Sequence, residues 1–195
     1  MRVFLTGVSC VGKTTIGAKL AALLGYSFFD LDDEIERFFG TSIERLQNRF
    51  LTMHSYREEA SKALIHILTQ ADSEDSVIAL PPSGLMGGFW RVVKKAKGTV
   101  IVLTDGPENI LQRITFYDID SRPIHKHLTE KKKRLYLREI KKDITYFRKT
   151  YGRADAEVNI SGLTPDMAVV RVKEIVGQFL SREYAPPIIG IRTTG

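Results

Sequence analysis

The chain is expected to fold as one three-layer α/β domain, a central parallel sheet of about five strands with helices on both faces. Three observations predict it. Short runs rich in Val, Ile and Leu at 2–7, 76–80 and 99–104 read as strands buried on both sides rather than half-solvated ones. Segments of helical periodicity alternate with them, which implies right-handed crossovers between parallel strands. Finally, 195 residues of 43% hydrophobic composition can close one sizeable core and are too few for two ordinary domains. The domain is drawn over residues 1–181, with 182–195 as a C-terminal extension.

The elements follow in order. Arg2 to Gly7 is a short apolar run ending in glycine, as a buried strand entering a turn should. From Lys13 onward Ile16, Leu20, Leu23 and Leu24 recur at helical spacing, and Gly25 supplies the stop. Residues 27–32 form a second strand candidate, followed by helical segments at 33–39, 42–50 and 52–70. The strands at 76–80 and 99–104 are the clearest. A long basic helix covers 128–151, Ala156 to Ile160 is the last strand, and 165–180 is a closing helix with Met167, Val170, Ile175, Val176 and Phe179 at its apolar positions. The tail is punctuated by Pro and Gly, lacks periodicity, and reads as a loosely attached extension.

No apolar run approaches the roughly 18 to 20 residues needed to cross a bilayer. The N-terminus passes straight into fold-like sequence, so a soluble, cytoplasmic, monomeric protein is expected, without a membrane partner. The single cysteine, Cys10, excludes an internal disulfide framework. The net charge of +6 is local: residues 126–149 hold ten Lys or Arg against three acids. That stretch is either a solvated helix face or a surface attracting phosphorylated small molecules. Nucleic acid is not expected as a partner, because no zinc-finger spacing, RNA-binding aromatic signature or basic region with heptads accompanies the charge.

The stretch Gly7 to Thr15, GVSCVGKTT, fits G-x-x-x-x-G-K-[ST] and lies between a predicted strand and a predicted helix. Its glycines let the backbone curl so that the amides of Ser9, Cys10, Val11, Gly12, Lys13, Thr14 and Thr15 converge, and the helix start adds its positive end. This is a cradle for a nucleoside triphosphate, so ATP and Mg²⁺ are expected. Lys13 would reach the outer phosphates and Thr14 would place a hydroxyl on the magnesium, while Thr15 more plainly packs or caps. Cys10 reads as a loop filler rather than a redox switch, since no resolving thiol exists.

The motif leaves the reaction open, and the next carboxylates narrow it. Asp30 ends the second strand and Asp32 follows two residues later, close to the magnesium side of the loop if the first two strands are neighbours. Asp30 suits metal-bound water and Asp32 suits accepting a proton from, or orienting, a hydroxyl. Helix capping is the alternative for this cluster, and is preferred for Asp33 and Glu34.

With these residues in view, the sequence resembles the shikimate kinases. The resemblance rests on the loop GVSCVGKTT, the D-x-D-x-x-I-E pattern from Asp30 to Glu36, Gly40 to Ile43, the pair Tyr56 and Arg57, and Ser121 to Pro123. It holds in order and spacing from about Val3 to Pro165. The stretch 46–54 is one residue longer than the family pattern and lacks its Gly-Glu before the arginine. The resemblance implies that Asp30 sits by magnesium, Asp32 meets the acceptor hydroxyl and Arg57 pairs with a substrate carboxylate. It also implies that Arg122 swings in on a lid at about 115–128, and that the helices at 32–70 bind the substrate. A mobile cover bearing an arginine makes independent sense, since phosphoryl transfer to a small hydroxyl competes with water. His125 and His127 read as solvated lid residues.

Two features depart from the family. Where shikimate kinases carry three glycines after the strand at 76–80, this chain has Pro81, Pro82 and Ser83, and proline has no N–H to donate. Where the family carries a carboxylate-gripping arginine in the long helix, the pattern places Asp143, which reverses the charge. The expected function is therefore a kinase of shikimate kinase architecture. It would move the γ-phosphoryl of ATP to a hydroxyl of shikimate or, the preferred reading, of another small and possibly anionic metabolite, with Arg57 and Ser83 as acceptor contacts. An ATP-binding regulatory module without catalysis is the alternative. A nucleoside kinase would require Phe50 and Tyr56 to clamp a base.

Overall fold

A computed structural model describes residues 1–183; the expected extension lies, from 184 onward, outside the described residues. The elements run β1 (Arg2–Thr6), α1 (Lys13–Leu24), β2 (Ser27–Asp30), α2 (Leu31–Phe39), α3 (Ile43–Gln47), α4 (Met53–Thr69) and β3 (Ser76–Ala79). They continue with α5 (Gly87–Lys95), β4 (Thr99–Thr104), α6 (Pro107–Gln112), β5 (Phe116–Tyr117), β6 (Pro123–Ile124), α7 (Glu130–Tyr151), β7 (Ala156–Asn159) and α8 (Pro165–Glu183). Five strands form a parallel sheet in the order β2-β3-β1-β4-β7, as expected, and β5 and β6 form a separate antiparallel pair.

Alternation along β1 explains the three layers. Val3 and Leu5 face one side and pack with Ile16 and Leu20 of α1 and with Val172 and Val176 of α8. Phe4 faces the other side, against Leu64 and Ile67 of α4 and Phe89 and Val93 of α5. All three β1 residues are fully buried, the signature of a strand covered on both faces.

Three expectations are corrected, and one condition is not met. β1 and β2 are not neighbours, because β3 pairs with both of them, Val3 with Val77 and Phe28 with Val77. In α8 the inward positions are Ala168, Val169, Val172 and Val176, whereas Met167 and Val170 remain 54% and 53% exposed; smaller side chains line the close approach to α1. The helix expected at 42–50 is only the five residues of α3, capped at Asn48. Two helices, α5 and α6, and the short β5-β6 hairpin within the lid segment were not expected. Among the described residues no helix is long and apolar enough to cross a membrane.

Candidate active site

The loop between β1 and α1 needs its glycines. Gly7 has φ 145°, and a Cβ there would lie 2.4 Å from the Leu103 carbonyl oxygen. Gly12, φ 111°, is the N-cap of α1. Cys10 adopts the left-handed region at φ 58°, unusual for a side chain of its kind. The loop therefore closes tightly around the start of α1, as an anion cradle must. Lys13 folds back over it, its Nζ donating to the carbonyls of Gly7 and Val8 at 3.0 Å each. Desolvation lowers the Lys13 pKa, opposed by the charges of Asp32 and Asp30.

Asp30 joins two structures. Its Oδ1 accepts from the Asp32 amide at 3.1 Å and so caps α2, while its Oδ2 accepts from the Thr14 hydroxyl at 2.6 Å. Asp30 is the N-cap of α2, so the Asp32 side chain is not the cap, although it stays among the acids of the helix's first turn. Desolvation, then Asp30, push the Asp32 carboxyl up to about 6, against the pull of Lys13. An acidic cleft of about 740 Å³ opens here, lined by Thr14, Asp30, Asp32, Asp33, Glu36 and, from the lid, Tyr117, Asp118 and Ser121. The hydroxyl of Thr14 and the carboxylate of Asp30 are hard oxygen donors of the kind magnesium takes, so the donor set fits that ion.

The other expected residues stand further out. Arg57 packs against Gly87 with its Nε buried and without a hydrogen-bond partner, and it is not among the residues lining the cleft. Ser83 lies half-buried in the turn after β3, also outside that lining. In that turn the carbonyls are occupied: Pro81 accepts from the Gly84 amide at 2.8 Å and Pro82 from the Tyr151 hydroxyl at 3.2 Å. Asp143 bears on the same corner, since burial and then the Asp143 charge raise the Tyr151 pKa. Arg122 is exposed on the lid turn, where its charge helps Arg45 lower the pKa of Asp120; it does not line the cleft. Thr15 is exposed rather than packed. Tyr56 is only 4% exposed and meets Phe50 edge to face at 6.3 Å, so it belongs to the core and cannot clamp a base.

Sequence reasoning missed a second cluster on the far side of the loop. Asp105, after β4, pairs with Arg113 and accepts from Asn109 and Ser161 at 2.7 Å each. Arg113 also donates to the Cys10 carbonyl at 3.2 Å. The cluster thereby ties the cradle to the loop after β7. A helix-spaced Asp105, Asn109 and Arg113 was the only local signal, and Cys10 and Ser161 are distant in the chain.

A central parallel sheet with a glycine-bounded loop, lysine and threonine entering α1 from β1, and an aspartate meeting that threonine, defines a P-loop α/β protein. Within that class the chain belongs to the shikimate kinase family, whose model, "Shikimate kinase", matches residues 9–180. A shikimate kinase of Persephonella marina is 29% identical over 178 residues, 90% of this chain and 97% of the relative. Those of Chlorobium phaeobacteroides and Chlorobium limicola are 32% and 30% identical, with the chain spanning 57% and 54% of their lengths. The crystal structure of the Aquifex aeolicus shikimate kinase superposes with a TM-score of 0.66 at 26% identity, covering 95% of this chain and 100% of that one. The Bacteroides thetaiotaomicron enzyme, at 21% identity and TM-score 0.73 over 91% and 98% of the two chains, shares the fold.

Proposed function

We propose that the chain is an ATP-dependent phosphotransferase of shikimate kinase type whose acceptor is a hydroxyl of a small metabolite other than shikimate. One observation carries the kinase reading. The half-buried Asp32 carboxylate, which is not the cap of α2, opens onto the cleft two residues beyond the Thr14–Asp30 hydrogen bond. Holding a nucleotide alone would not call for a carboxylate in that place.

The cradle amides from Ser9 to Thr15 would grip the phosphates, with Lys13 exchanging its two carbonyl partners for phosphate oxygens. Thr14 and Asp30 would hold magnesium, which when bound neutralises charge on the phosphate oxygens. Asp32 would orient the acceptor hydroxyl and take its proton. Arg122, carried by the lid, would approach the transferring group, and the orphaned Arg57 Nε together with Ser83 would meet the acceptor. Arg57 favours an acceptor with acidic or polyol character.

The acceptor reading rests on Pro81, Pro82 and Asp143. A relative from Acinetobacter baumannii, 23% identical, is known as a complex with shikimate. Here the glycine amides of the family pattern are replaced by prolines, and the arginine by an aspartate that would repel a carboxylate. A coupled ATPase assay over sugar acids, polyols, shikimate and nucleosides tests both readings. Stimulation by an acceptor other than shikimate is expected. Shikimate as the best acceptor would overturn the acceptor reading. Tight ATP binding with no stimulation by any of them would favour an ATP-binding module without catalysis.

A further inference from the structure

We propose that Glu36 is a positioning residue that latches the lid turn, through Ser121, over the acceptor cleft; the proposal rests on the kinase reading above. Glu36 lies one helical turn beyond Asp32 on α2, so the two carboxylates share a face. Its Oε1 accepts from the Ile43 amide at 2.9 Å and from the Ser121 hydroxyl. The first bond holds the carboxylate still, and the second receives the lid. Ser121 stands at φ 59°, a left-handed conformation that sets the direction in which the chain enters Arg122.

The lid turn is stiff enough to be held by one point. The Asp118 carboxylate accepts from the amides of Asp120 and Arg122 at 2.9 Å each, and the Asp118 amide donates to the Arg122 carbonyl at 2.9 Å. Two more contacts dock this turn on the start of α3. The buried Ser42 hydroxyl donates to the Ile119 carbonyl, and Arg45 pairs with Asp120 at 2.7 Å with both side chains more than 40% exposed. An ion pair so exposed is worth little, whereas a hydrogen bond to a half-buried carboxylate is among the stronger kinds. Of the lid hydrogen bonds and ion pairs among the described residues, the Glu36–Ser121 bond is the one that reaches the helix carrying Asp32. It couples closure of the cover to the carboxylate that meets the acceptor, and it keeps water from the cleft when the lid is down.

The test compares substitutions that break the latch with ones that rebuild it. Ser121→Gly keeps the backbone conformation and leaves the Glu36–Ile43 bond untouched; Ser121→Asn tolerates the same φ and restores a donor. Glu36→Ala removes the latch, while Glu36→Gln retains an acceptor oxygen. With the best acceptor from the panel, Ser121→Gly and Glu36→Ala are expected to lower kcat roughly tenfold or more, the size of one hydrogen bond to a charged group. KM for ATP should stay within about twofold, and more ATP should be lost to water per acceptor phosphorylated. Ser121→Asn and Glu36→Gln are expected to recover most of the loss, and Arg45→Ala to cost less than about threefold. Hydrogen exchange at residues 118–122, measured with a non-hydrolysable ATP analogue and magnesium, should quicken in the two latch-breaking variants only. The latch is overturned if Ser121→Gly matches the parent protein in exchange at the lid. If the parent protein phosphorylates nothing, the kinase reading falls, and the exchange comparison still decides the latch.

Discussion

At Asp32 the proposed role and stability pull in opposite directions. In the unfolded chain this carboxyl titrates near the ordinary 3.8, and in the fold near 6, with burial as the leading cause. The folded state thus holds the proton more tightly. The contribution of Asp32 to stability is therefore fullest below about pH 4, is lost as pH rises through about 6, and stays lost above that. Asp32→Asn removes the penalty. The variant should melt above the parent protein at pH 8, by a margin on the order of 1–2 kcal/mol after allowance for solvent screening, and the gap should close below pH 4. A thermal melt series across that range checks it; a variant that melts lower at pH 8 would show that Asp32 is not strained. Its kcat should fall with ATP affinity nearly intact, while Lys13→Ala should abolish turnover because the cradle loses its cation. These residues were legible in the sequence because motif spacing carries them. Asp105 and Arg113 were not, since their partners Cys10 and Ser161 come together only through the fold.

Among the elements, the turn after β3 and the middle of α7 form the corner where the proposed acceptor would sit. Tyr151, eight residues after Asp143 on α7, donates to the Pro82 carbonyl, and Arg153 just beyond the helix donates to the Leu85 carbonyl at 2.6 Å. The turn is therefore clamped by α7 and offers occupied carbonyls where amide donors would be needed for a hydroxylated carboxylate. Pro82→Gly combined with Asp143→Arg should raise shikimate affinity by tenfold or more, the scale of replacing a like charge by an opposite one. Isothermal titration with shikimate and an ATP analogue would detect it, and no gain would mean that other side chains dominate the corner. The prolines and the aspartate were readable in the sequence, but the clamp was not, because Tyr151 to Pro82 is a contact across 69 residues. α5 escaped notice for a local reason: it opens on Gly87 and Gly88, poor helix formers that mask the turn to come. α6, at six residues, is too short to show a period.

For the whole molecule, the strand order gathers the site at one end of the sheet. β1 sits at the centre, so the cradle leaves its carboxyl end with β3 on one side and β4 on the other. Asp30 comes from β2, one strand removed, and is reached by Thr14 from the first turn of α1. The sequence announced the strands and their alternation, but neighbour relations depend on which faces pack, which is why the adjacency of β1 and β2 entered only as a condition. Charge is arranged on the same scale. The basic excess lies along α7, which follows the lid directly, and its acids are mostly spoken for: Glu130 pairs with Lys133 and Glu139 with Lys142. Lys131, Lys132 and Arg134 are exposed, so replacing all three by Gln should leave the melting temperature within about 2 °C. If the helix steers ATP toward the cradle, the replacement should slow association about threefold or more at low ionic strength. That difference should vanish at several hundred millimolar salt, where the screening length falls to a few ångströms. Stopped-flow binding of a fluorescent ATP analogue across a salt series separates the cases. A slowing that persists at high salt would indicate direct contact with the phosphates, and no slowing at any salt would leave α7 as a solvated face.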